Sequence, residues 1–95
     1  MVSPDDLAAA ERLVATYREL APTDPERYLP ILAAALNNLS VDLGAAGKPE
    51  EALTVAIESV NIRRELAAAR PDPHLASLAQ AFHNLGYCLN ELGRT

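Results

Sequence analysis

Residues 29–43 read Leu29-Pro30-Ile31-Leu32-Ala33-Ala34-Ala35-Leu36-Asn37-Asn38-Leu39-Ser40-Val41-Asp42-Leu43. Residues 75–89 read Leu75-Ala76-Ser77-Leu78-Ala79-Gln80-Ala81-Phe82-His83-Asn84-Leu85-Gly86-Tyr87-Cys88-Leu89. In the first stretch Leu29, Leu32, Ala33, Leu36, Leu39, Ser40 and Leu43 recur at intervals of three and four. Leu75, Leu78, Ala79, Phe82, Leu85, Gly86 and Leu89 repeat that spacing in the second. Such intervals keep side chains on one face of a helix with 3.6 residues per turn, whereas a strand alternates every second residue.

The two stretches lie 46 residues apart, and the match extends outward from them. Arg18-Glu19-Leu20-Ala21 falls on Arg64-Glu65-Leu66-Ala67, and Leu7, Ala10 and Val14 fall on Leu53, Ala56 and Val60. Gly47 falls on Gly93. Self-similarity at a fixed period marks a repeat architecture. Each copy holds two helical patterns. Residues 50–69 carry a wide stripe of Ala52, Leu53, Val55, Ala56, Ile57, Val60, Ile62 and Leu66, which suits a helix packed on two neighbours. Residues 4–21 are its counterpart. Eighteen alanines, with Tyr17, Tyr28, Phe82 and Tyr87 the only aromatics, predict a core of small and medium side chains and closely packed helices.

The helix boundaries follow from local chemistry. Ser3-Pro4 supplies a capping serine and a first-turn proline, with Asp6 placed for a capping box. Gly47 ends one helix and Pro49 opens the next, where Glu50 and Glu51 suit the positive end of the helix dipole. Asp72-Pro73 is read as the start of the last helix. Asp24-Pro25 signals a start too, but Pro30 is expected to kink a helix begun there. A loose turn at 24–27 and regular helix from about Tyr28 are therefore predicted. The expected architecture is all-α: antiparallel helix–turn–helix repeats in one domain, with helices at about 4–21, 27–46, 49–69 and 73–92.

Several of these residues resemble a known family. Leu36-Asn37-Asn38-Leu39, Leu43, Gly47-Lys48-Pro49-Glu50-Glu51-Ala52-Leu53 and Ile62-Arg63-Arg64-Glu65-Leu66 look like tetratricopeptide repeats of the kinesin-light-chain type. His83-Asn84-Leu85-Gly86 through Gly93-Arg94 repeats the first half of that pattern. The resemblance implies a superhelix of about two repeats in an out-of-phase B-A-B-A frame, where A and B are the first and second helices of each pair. It also implies a module that binds a peptide or partner helix on its concave face. Carried over, that face holds Ala34, Asn37, Asn38, Val41, Gln80, His83, Asn84 and Tyr87. An asparagine amide both donates and accepts, so it can hold a peptide backbone of any sequence. Equally, Asn38 and Asn84 can bond neighbouring helices of this chain, and Asn37 and His83 can simply face solvent. No lysine or arginine stands at these positions, so an extended, weakly polar segment fits better than a C-terminal carboxylate.

Composition narrows the alternatives. A net charge of −5 with no basic face disfavours nucleic acid and anionic membranes as partners. No apolar run reaches the roughly 18–20 residues of a membrane span, and Met1–Asp6 has no signal-peptide character. A soluble, cytoplasmic protein is expected, and the composition hints at a bacterial one. Catalysis is not expected. Cys88 and His83 point about 140° apart on one helix, and no short His or Cys metal spacing occurs. No cofactor is implied. A B-A-B-A frame also predicts open ends, exposing Leu7, Val14, Phe82, Leu89 and Leu92. Such patches seldom stay bare on a monomer, so these residues are expected to pair with another copy in a homo-oligomer, by end-to-end docking or helix exchange, or to pack on a longer parent protein. A structural self-associating segment, or a regulatory segment of a larger bacterial signalling protein, are the competing functions.

Overall fold

The computed structural model describes residues 3–93; Met1, Val2 and Thr95 lie outside them, as does Arg94 of the repeat pattern. Among the described residues four helices follow one another: α1 (Pro4–Leu20), α2 (Pro25–Ala45), α3 (Pro49–Ala69) and α4 (Pro71–Glu91). A 3-10 turn at Ala21–Thr23 joins α1 to α2. No strand occurs among the described residues. Helix α2 packs on α1 and α3, α3 packs on α4, and α2 also touches α4. The helices thus form two layers, α1 and α3 in one and α2 and α4 in the other. An exposed Arg18–Glu58 ion pair ties α1 to α3 within their layer.

Local chemistry sets the ends. The Ser3 hydroxyl accepts the Asp6 N–H at 3.1 Å and caps α1. Asp24 caps α2 by accepting the Arg27 N–H on its side chain. Helix α2 ends in a Schellman motif: Lys48 N–H donates to the Leu43 carbonyl at 2.9 Å and Gly47 N–H to that of Gly44 at 3.1 Å. That reversal needs a left-handed residue, and Gly47 has φ 79°. Pro49 then starts α3 two residues on.

Two helix starts differ from the sequence prediction. Helix α2 begins at Pro25, not near Tyr28, and carries Pro30 inside it. Pro30 sits in the second turn, so it removes a single bond, to the carbonyl of the exposed Glu26, which water can satisfy. Helix α4 begins at Pro71, with Arg70 before it, and Pro73 is its third residue. The first N–H groups of a helix have no intrahelical acceptor, so a proline there sacrifices nothing.

The core lies where α2 is enclosed. Leu32, Ala33, Leu36, Leu39 and Leu43 of α2 are buried with Leu53, Ala56 and Val60 of α3. Val14 is buried on α1, like its repeat counterpart Val60 on α3. It therefore fills the core and not an open end, contrary to the expectation that grouped it with exposed residues. Leu7, Leu89 and Leu92 are half-buried and pack against the core's edge. Phe82 does remain open, at 46% exposure.

Candidate binding face

Three helices meet at one buried hydroxyl. Ser40 of α2 donates to the Ala52 carbonyl of α3 at 2.9 Å. Asn84 Nδ2 of α4 donates to Ser40 Oγ at 3.3 Å. Cys88 Sγ of α4 lies 3.4 Å from the same oxygen. Serine has one proton, committed here to Ala52, so the Cys88 thiol is the donor in its contact. The cluster is buried, and a buried polar group left without a partner costs about 1–3 kcal/mol. It therefore fixes how α4 sits on α2 and α3.

Above this cluster opens a groove of about 380 Å³ between the C-terminal halves of α2 and α4 and the start of α3. Its floor is Ser40, Ala52, Asn84 and Cys88; its walls are Val41, Gly44, Tyr87 and Glu91. Val41 is 54% exposed and Tyr87 59% exposed. They are repeat counterparts, so each stands at the same place on its own helix. Gly44 keeps the α2 wall low: a Cβ there would meet nothing within 4 Å. Among the described residues Glu91 is the one charged residue in the lining.

Of the sequence-predicted site residues, Val41, Asn84 and Tyr87 come together here. Asn37, Asn38, Gln80 and His83 do not line the groove. Asn38, Gln80 and His83 are exposed. Asn37 is half-buried, and its Oδ1 is buried without a donor. The repeat equates Asn38 with Asn84, yet one faces solvent and the other anchors α4. Gly44 and Glu91 escaped the sequence reading. Gly44 lies three residues after Val41 and so shares its side of the helix, a legible signal. Ser40 appeared there only as a member of the apolar stripe, because its counterpart is Gly86, which bears no side chain.

This geometry defines a class: antiparallel helix pairs stacked so that alternate helices share a groove. Residues 32–72 match a family model described as Tetratricopeptide repeat, a match that spans most of α2, all of α3 and the first residues of α4. No curated protein and no solved structure matches the chain. Residues 32–72 thus carry a tetratricopeptide-type repeat, and the all-helical fold of the described residues is consistent with a helical repeat of that kind. Repeats of this family generally mediate protein–protein interaction. Among the described residues, no helix is long and apolar enough to cross a membrane.

Proposed function

We propose that the chain is a non-catalytic interaction module that receives an extended peptide or a partner helix in the groove between α2 and α4. The observation that carries this reading is the pairing of Val41 and Tyr87. Two exposed apolar side chains flank a concave, mostly apolar space with a polar floor. Ligand sites combine apolar walls with a few placed polar groups in this way. Asn84 spends one N–H on Ser40, and its remaining amide capacity borders the groove, ready for a ligand backbone. Among the described residues no lysine or arginine lines the space, which favours an apolar side chain over a carboxylate, and Glu91 favours a basic neighbour beside it. Cys88 contacts a serine hydroxyl instead of a base, which supports a structural role over a nucleophilic one.

Peptide display against the chain tests this reading. Selected peptides are expected to share an apolar residue next to a lysine or arginine. Their affinity is expected to fall at least tenfold on Tyr87→Ala or Val41→Asp, with the helix content unchanged. Selected peptides that bind both variants as tightly as the parent would rule the groove out.

A further inference from the structure

Helix α4 repeats α2 but lacks the neighbour that buries α2. On α2, the positions that face α3 are Ala33, Leu36 and Ser40: Ser59 of α3 donates to the Ala33 carbonyl at 2.9 Å and Ser40 donates to the Ala52 carbonyl. All three are buried, with Leu36 at 0% exposure. Their counterparts 46 residues on are Ala79, Phe82 and Gly86, and all three are exposed. The open flank of α4 is therefore shaped for a helix of the α3 kind. Among the described residues there is one other such helix, α1, which is the repeat counterpart of α3. Its Leu13 occupies the place of Ser59 and is 49% exposed, flanked by exposed Ala9 and Thr16.

We propose that α1 of a second copy docks on the α4 flank, with Leu13 against Phe82, so that copies join head to tail and continue the superhelix. The flank is separate from the groove: Phe82 lies on the side of α4 away from Tyr87, about 140° around the axis. Peptide binding and this contact stand or fall independently. A head-to-tail contact uses different surfaces on the two partners, so it leaves a free end at each step and does not close at two copies.

The repeat also fixes which charges meet. Arg18 pairs with Glu58 between α1 and α3. The corresponding positions at the new junction are Arg64 of one copy and Arg12 of the next, both exposed. Two arginines there repel, so the contact is weak and tightens as salt screens them.

Sedimentation equilibrium over a concentration series tests this. The mass of the unaltered chain is expected to rise past two copies without a plateau, and to rise further with salt. Leu13→Glu and Phe82→Glu, each alone and with its helix content verified, are expected to stay monomeric. Mixed in equal amounts, they retain one intact junction and are expected to form a one-to-one dimer and nothing larger. Arg12→Glu is expected to strengthen assembly roughly two- to fivefold, since it turns repulsion into an exposed ion pair. That gain cannot arise from unfolding. A monomer at every concentration, a plateau at two copies, or a Leu13→Glu chain that assembles like the parent would each overturn the proposal.

Discussion

Helices α2 and α4 carry one pattern in two environments. Leu36 is fully buried while its counterpart Phe82 is half open; Ser40 is buried in the core while Gly86 lies at the surface. With the asparagines the order reverses: Asn38 is exposed and Asn84 is buried against Ser40. The pattern along a helix therefore says which residues share a face. What that face meets is decided by the neighbouring helices: among the described residues α2 has α1 and α3 on either side, whereas α4 has α3 and an edge of α2.

Mutation breaks the comparison most strongly at its centre. Leu36→Ala leaves a cavity in the core and is expected to cost about 2–5 kcal/mol in chemical denaturation. Phe82→Ala, although it deletes a larger side chain, is expected to cost about 1 kcal/mol or less, because half of that side chain already meets water. Equal losses would show that α4 is covered as α2 is. The next effect lies at Ser40 and Gly86. Ser40→Ala removes the bond to Ala52 and strands Asn84, for an expected loss of about 1–3 kcal/mol. Gly86→Ala meets nothing within 4 Å and is expected to raise stability by about 0.5–1 kcal/mol through helix propensity alone.

Smaller effects sharpen the picture. Asn37→Ala removes a buried carbonyl oxygen that has no donor and a mediocre helix former, so a gain of up to about 1 kcal/mol is expected in thermal melts. A loss would mean that the amide holds a bond not seen here. Arg18→Ala is expected to cost under about 1 kcal/mol, and that cost is expected to vanish as salt is added, because the pair with Glu58 is exposed.

Much of this was legible from residues alone. The 46-residue period placed all four helices, and Gly47 and Pro49 gave the start of α3 and the end of α2 to within one residue. The starts of α2 and α4 were misread for different reasons. Pro30 reads as a kink in a helix begun at Pro25, although it forfeits one bond that water replaces, and Asp72-Pro73 reads as the start of α4 although Pro71 already opens it. Val14 was assigned to an open end because its stripe was read without knowing which face of α1 meets α2. The groove was legible in part: Val41 and Tyr87 followed from the family resemblance, but Gly44 contributes by lacking a side chain, and Asn84 owes its position to Ser40 on another helix. Contacts of that kind follow from packing and leave no periodic trace.

The most direct test of the groove is an amide-resolved NMR titration with a display-selected peptide. Binding between α2 and α4 is expected to shift the amides of Val41, Gly44, Tyr87 and Cys88 first, while those of Ala79 and Phe82 stay still. Shifts concentrated at Ala79, Phe82 and Leu13, with the groove silent, would contradict it and assign ligand binding to the flank instead.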